Sequence, residues 1–256
     1  MNYDIIDFHT HPFTITSENF CFFPGSVTTD EDFLSDLSSA GISRFAGSII
    51  DKQNKDFAAI VRANRRAVEL KGRYGDKYIP GIHVHPDHVS ESENEINVAW
   101  ELGVRLIGEL VPYHHGYSYD HAGLHEIFEC LCGRDMTVSI HSNDSDLPAL
   151  EKLAAEHKDV TFVFAHPGDL ERVKKHIEIM RRCKNVYLDL SGTGLFRYGM
   201  LKHLVDSVGA ERILFGTDYP ICNPEMYVHA VLFEKISDRE RELIFAGNAK
   251  RLLKLN

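Results

Sequence analysis

No stretch of the chain approaches the ~18–20 consecutive apolar residues that a membrane-spanning helix requires. The opening segment Met1–Asp7 reads as a strand rather than as the charged and apolar leader of a secreted protein, so a cytoplasmic location is expected. Cysteine is scarce and unpatterned. Cys21, Cys130, Cys132, Cys183 and Cys222 are odd in number and contain no CxxC pair, which argues against a disulfide framework and suits buried, reduced thiols. Positive charge is in deficit, with 28 Lys and Arg against 38 Asp and Glu. Nucleic acids and anionic membranes need clustered cations, so neither is an expected partner, whereas a small-molecule substrate is; a homo-oligomer stays open. There is no Ser/Gly-rich linker, no internal repeat, and no G-x-G-x-x-G after the first strand-like segment, which disfavours a second domain and a dinucleotide fold.

What the chain does contain is a regular alternation. Short runs rich in β-branched residues fall near Ile5–His9, Arg44–Ile50, Tyr78–His83, Arg105–Leu110, Thr137–His141, Thr161–Ala165, Val186–Leu190 and Ile213–Gly216. Several are almost continuously apolar, as parallel strands covered on both faces should be. Helical patterns lie between them at Asp30–Ala40, Asn54–Lys71, Ser92–Leu102, His121–Leu131, Leu147–Glu156, Leu170–Arg181 and Leu201–Val208. Ser90 and Asp146 sit where N-caps are expected, and Gly41, Gly72 and Gly103 where left-handed C-terminal residues are. The stripe Phe57, Ile60, Val61 and Val68 is expected to face the core, and Asp238–Glu242 to be a solvated helix face. Eight strands with seven intervening helical patterns in 256 residues predict one α/β domain, a (β/α)₈ TIM barrel over residues 1–256.

In such a barrel the chemistry stands where strands end and βα loops begin. Strand 1 ends in Asp7-Phe8-His9-Thr10-His11-Pro12, and strand 3 in His83-Val84-His85-Pro86. Strand 4 ends in Gly108-Glu109-Leu110, strand 5 in Ile140-His141, strand 6 in Ala165-His166-Pro167-Gly168, and strand 8 in Gly216-Thr217-Asp218-Tyr219-Pro220. Residues i and i+2 of a strand share a face about 6.7 Å apart, so His9 and His11 can converge on one ion at the ~2.0–2.1 Å bond lengths of imidazole ligands. His141 and Asp218 come from other walls of the same ring. Imidazole and carboxylate donors suit a divalent metal, Zn²⁺ first, and also Mn²⁺, Fe²⁺ or Co²⁺.

The set resembles the amidohydrolase superfamily, most closely its amidohydrolase-2 branch of metal-dependent hydrolases and decarboxylases. The matching pieces are Asp7 to Pro12, Ile140-His141, Ala165 to Gly168, Phe215 to Pro220, and the tail Gly247-Asn248-Ala249-Lys250-Arg251-Leu252-Leu253, which in that branch forms the closing helix. The resemblance implies that His9, His11 and His141 ligate the metal, that Asp218 is the strand-8 carboxylate, and that His166 polarises the substrate or ligates a second ion. The bridging carboxylated lysine of two-metal members is missing, because Ile107-Gly108-Glu109 holds no lysine. Glu109 is then a candidate ligand, as in TatD-type enzymes, and one or two ions are compatible with the set.

A bound cation lowers the pKa of its water to about 7. Asp218 is then a candidate base for that water, and His166 a candidate donor to a developing oxyanion. His85, Tyr113 and Arg197 are candidates for substrate contact, with packing the competing role for His83 and His85. Arg197 offers a guanidinium fork for a carboxylate or phosphate. The long loop Phe13–Thr29, with Phe13, Phe20, Phe22 and Phe23, is a candidate lid. The expected activity is hydrolysis of a small amide, ester or lactone by metal-activated water. The alternatives are non-oxidative decarboxylation or hydration of a small carboxylic acid, and a TatD-like two-metal phosphoesterase or nuclease. Glu109 weighs toward hydrolysis or the TatD-like phosphoesterase, the acidic net charge weighs against a nuclease, and the shortage of loop material for enclosing an aromatic acid weighs against decarboxylation.

Overall fold

A computed structural model describes residues 3–23 and 25–256; Met1 and Asn2 of the opening segment and Pro24 of the candidate lid lie outside the described residues. Eight parallel strands follow in sequence order around one curled sheet. They are β1 (Ile6–Asp7), β2 (Arg44–Ser48), β3 (Tyr78–Ile82), β4 (Leu106–Leu110), β5 (Thr137–Ile140), β6 (Thr161–Phe164), β7 (Val186–Asp189) and β8 (Ile213–Leu214). The ring closes beyond the short first and last strands. Phe8 N donates to Phe215 O at 2.9 Å, Asp218 N to His9 O at 2.9 Å, and His11 N to Tyr219 O at 2.8 Å. This is a (β/α)₈ barrel, and its closing seam runs through the two segments richest in candidate ligands.

The helices are α1 (Asp30–Ser39), α2 (Phe57–Tyr74), α3 (Val89–Glu101), α4 (Pro112–His115), α5 (Ala122–Glu129), α6 (Leu147–Glu156), α7 (Leu170–Arg182), α8 (Met200–Val208), α9 (Pro224–Phe233), α10 (Asp238–Glu242) and α11 (Asn248–Leu253). A π-helical turn, Leu243–Gly247, joins the last two. Ile6, Phe8, Ala46, Ile79, Leu106, Val163 and Leu214 from six strands pack with Ala246, Ala249, Leu252 and Leu253, so the C-terminal helix plugs one end of the barrel. The strands' C-terminal ends are left to carry the polar side chains. Among the described residues no helix is long and apolar enough to cross a membrane.

Five local expectations are corrected. Helix α3 begins at Val89 after His88, so Ser90 lies inside its first turn. Asp146 does precede α6, yet its carboxylate accepts from Asn143 N and caps no helix N–H. Gly72 is helical, and Gly75, with φ 56°, ends α2 three residues later; Gly41 and Gly103 have the left-handed φ expected of them. The buried face of α2 centres on Ala59, Ile60, Ala63, Ala67 and Leu70, because small residues let the helix lie close to the sheet. Phe57, Val61 and Val68 flank that face half-buried. The cysteines are free thiols, but only Cys183 is buried, and Cys132 is exposed.

Candidate metal centre

The candidate ligands meet at the barrel mouth. His9 Nε2 lies 3.4 Å from Glu109 Oε2 and 3.5 Å from Asp218 Oδ1. His11 Nε2 lies 2.9 Å from Asp218 Oδ1 and 3.7 Å from Glu109 Oε2. The other Glu109 oxygen, Oε1, is 3.0 Å from His141 Nδ1 and 3.3 Å from His166 Nε2, and these two nitrogens are 3.1 Å apart. Three overlapping groups result, each compact enough for one ion: His9, His11 and Glu109; His9, His166 and Asp218; and Glu109, His141 and His166. Glu109 is common to two of them and faces both ways.

Local backbone geometry makes this convergence possible. His166 and Asp218 both have left-handed φ, 67° and 70°. Such φ values are uncommon outside glycine and are kept only where the surroundings impose them. Asp7 braces the seam beneath His9: its Oδ1 accepts from His9 N at 3.1 Å and from Thr217 N at 3.0 Å, and its Oδ2 accepts from the Thr217 hydroxyl. Burial pushes the Asp7 carboxyl up to about 7 despite those bonds. On the far side Asp189 Oδ2 accepts from His9 Nδ1 at 2.9 Å.

Whether the set fits a divalent cation can be read from its unmet needs. His9 Nδ1 donates to Asp189, and the buried Nε2, the ring nitrogen turned toward Glu109 and Asp218, has no hydrogen-bond partner. Glu109, Asp189 and Asp218 are three buried carboxylates that face the imidazoles of His9, His11, His141 and His166. Buried anions demand compensating positive charge. The titration directions express that demand. For His9, burial opposes protonation, but Glu109 and Asp189 overcome it and raise the imidazole well above its usual value. Burial likewise raises Glu109, while His9, His141 and His166 outweigh it and hold the carboxyl well below the usual range. His9, His11, Glu109 and Asp218 fit a divalent ion, and His141 and His166 fit around the second oxygen of Glu109.

Above the set lies a cavity of about 280 Å³. Phe20, Phe22, Val111, Tyr113, His114 and Ile221 wall it, Lys52 supplies the ammonium, and His11, Glu109, His141, His166 and Asp218 form its base. Phe20 stacks on the His11 ring at 4.7 Å, and the Lys52 ammonium sits 4.7 Å from the Phe20 centroid while donating to Asn19 O. The candidate lid is anchored by Glu18, which is fully buried, ion-paired to Arg66, and accepts from Thr14 N at 2.8 Å.

The outlying candidates divide. Tyr113 reaches the cavity and packs edge-on against His141 at 5.1 Å. His85 is occupied elsewhere, its Nε2 donating to His115 O at 3.1 Å and its Nδ1 accepting from Asp87 N at 3.2 Å. His83 is likewise bonded to Ser48 Oγ at 2.7 Å. Arg197 is exposed, lies over the Phe196 ring at 5.8 Å, and is not in the cavity lining. Asp189, Ser191 and Lys52 are absent from the residues that sequence reasoning selected. Their signal was weak: Asp189 and Ser191 read as the end of an ordinary strand, and Lys52 as a solvated loop lysine.

Residues 6–255 match the family model of the amidohydrolase-2 branch, described as amidohydrolase. The chain belongs to this family. A stretch of 73 residues, 28% of the chain, is 40% identical to gamma-resorcylate decarboxylase of Polaromonas sp. (strain JS666), and spans only 22% of that enzyme's length. Among solved structures, an uncharacterised TIM-barrel protein, Bb4693 of Bordetella bronchiseptica, superposes with a TM-score of 0.80 at 20% identity, over 98% of each chain. Dihydroxybenzoic acid decarboxylase of Polaromonas sp. JS666, solved with manganese and the inhibitor 2-nitroresorcinol, superposes with a TM-score of 0.71 at 17% identity, over 98% of this chain and 97% of that one. These superpositions carry the fold.

Proposed function

We propose that this amidohydrolase-family protein is a divalent-metal-dependent, non-oxidative decarboxylase of a small aromatic carboxylic acid. The observation that carries the reading is the cavity above the ligand set. Its volume of about 280 Å³ is at the small end of ligand sites, and aromatic side chains and one ammonium line it. That lining suits a planar, anionic ring. The gamma-resorcylate and dihydroxybenzoic acid decarboxylases among its relatives support the same class.

The two arguments for hydrolysis lose their weight. Glu109 lies between the two halves of the ligand set, a place compatible with either chemistry. The shortage of enclosing loop is made good by Phe20 and Phe22 of the segment after β1, which roof the cavity. Manganese is the proposed ion, since carboxylate donors suit it and the dihydroxybenzoic acid decarboxylase was solved with it; zinc is the alternative.

When bound, the cation supplies Lewis-acid polarisation of the substrate's oxygen atoms. Lys52 holds an anionic group of the substrate at the opposite wall, and Phe20 and Tyr113 fix the ring plane. The lid excludes water from the reacting carbon. Decarboxylation breaks the bond from the ring carbon to the carboxylate, leaves the electron pair on that carbon, and needs a proton there. Asp218 and His166, both in the cavity base, are the pair that holds and delivers it.

The test is the manganese-loaded protein with dihydroxybenzoic acids. Release of CO₂ that EDTA abolishes and manganese restores is the expected result. Turnover of lactones or amides with no CO₂ from any aromatic acid would return the reading to hydrolysis.

A further inference from the structure

The cavity above the ligand set has a neighbour. A second cavity, about 490 Å³ and larger than the first, lies between the lid, α1 and the segment that leads from Asp218 into α9. Phe22 and Ile221 line both cavities and so form their shared wall. The two halves of that wall are held unequally. Ile221 packs against Phe20, Ile50 and Val111, and its N–H donates to Asp218 O at 2.8 Å. Phe22 leaves 70% of its surface exposed. A side chain with so little burial gains little from any one rotamer and is displaced at small cost. Its neighbour Phe20 is different, being buried and stacked on the His11 ring at 4.7 Å.

The cavities also differ in charge. The first has the Lys52 ammonium in its wall. The second has the carboxylates of Asp36 and Glu225, and no Lys or Arg among the described residues that line it. Asp36 Oδ2 accepts from the Tyr219 hydroxyl at 2.7 Å, and exposed Glu225 has the His229 imidazole 3.9 Å away. Phe23, Val27 and Pro220 supply hydrocarbon beside them. Such a lining accepts a group that is apolar along its length and neutral or cationic at its tip, and it repels a second carboxylate. We propose that the second cavity is a distal subsite of the substrate pocket, entered past Phe22, which takes an apolar substituent with a neutral or cationic end from an aromatic acid whose ring sits over the ligand set. Phe22 is then the residue that sets how long a substrate fits. The inference rests on the aromatic-acid reading of the site and adds to it the length and charge of what the ring carries.

The test reads binding, so it needs no turnover. The manganese-loaded protein is titrated calorimetrically with salicylate and with salicylates that carry a butyl, aminobutyl or carboxypropyl chain para to the carboxylate. Burying methylenes raises affinity, so Phe22→Ala, which removes the partition, is expected to raise the ratio of butylsalicylate to salicylate affinity by roughly three- to ten-fold over wild type. Phe22→Trp, which fills the opening, is expected to lower that ratio. In the wild type the aminobutyl acid is expected to bind more tightly than the carboxypropyl acid, and Glu225→Gln to narrow the gap by about two- to five-fold. A ratio that neither Phe22 variant moves would overturn the proposal, and so would tighter binding of the carboxypropyl acid or a gap that Glu225→Gln leaves unchanged. If salicylate itself fails to bind, the aromatic-acid reading falls and this inference with it. If salicylate binds and the ratios stay fixed, the inference falls alone.

Discussion

Asp189 and His9 are 180 positions apart in the chain, yet Asp189 Oδ2 accepts a hydrogen bond from His9 Nδ1 at 2.9 Å inside the barrel. The bond determines which face of His9 is basic. With Nδ1 committed to Asp189, only the unpartnered Nε2 is free to ligate, and it points between Glu109 and Asp218. Such outer partners of a ligating histidine are commonly worth 10–100-fold in metal affinity. Asp189→Asn is accordingly expected to weaken manganese binding by roughly that factor, read by calorimetric titration of the metal-free protein. Unchanged affinity would remove Asp189 from the account.

Lys52 offers a sharper test of substrate charge. It is the ammonium in the cavity lining, and burial alone pushes it below its usual value. Hydrogen bonds to charged groups contribute about 1.5–3 kcal/mol, so Lys52→Met is expected to raise KM for an aromatic acid by about 10–100-fold. Its kcat is expected to fall much less. A neutral substrate analogue should bind both proteins alike.

The lid has its own anchor in the ion pair between Glu18 and Arg66. Glu18 is fully buried, so removing its partner strands a charge. Arg66→Ala is expected to cost about 3 kcal/mol of unfolding free energy in urea titration. Glu18→Gln with Arg66→Ala together should cost less than the two changes summed.

His176 predicts a pH dependence of stability. Burial pushes its imidazole down to about 3 from an ordinary value near 6.5. Between those values the unfolded chain binds a proton that the folded chain does not, so stability is full above about 6.5 and is lost as pH falls toward 3. The slope from this group is at most about 1.4 kcal/mol per pH unit. His176→Met is expected to flatten the decline of the urea midpoint between pH 6.5 and 4. Parallel declines in variant and wild type would contradict it.

The barrel was legible because its strands are short, β-branched and nearly continuously apolar, which leaves the reader eight places to look for polar residues. His9, His11, Glu109, His141, His166 and Asp218 were found there by residue type alone. Helix α9 was not, because Pro224 to Phe233 is too uniformly apolar to show a helical face. Asp189 and Ser191 escaped for a different reason. Nothing in Leu188-Asp189-Leu190-Ser191-Gly192 distinguishes a strand end that turns outward from one whose carboxylate reaches a histidine near the other end of the chain. Lys52 and Phe20 belong to loops whose path depends on anchors such as Glu18 and Arg66, and those pairings have no local signature. Arg197 failed by the same rule in reverse: its residue type suits a substrate anion, but its loop turns it to solvent.

Anomalous diffraction from crystals of the manganese-loaded protein, recorded at the manganese absorption edge, tests the central claim most directly. An ion within direct bonding distance of His9 Nε2 and of the His11 ring, with an Asp218 or Glu109 oxygen completing its shell, is the expected result. A map with no anomalous peak between these four side chains, from protein that binds manganese in solution, would contradict the account.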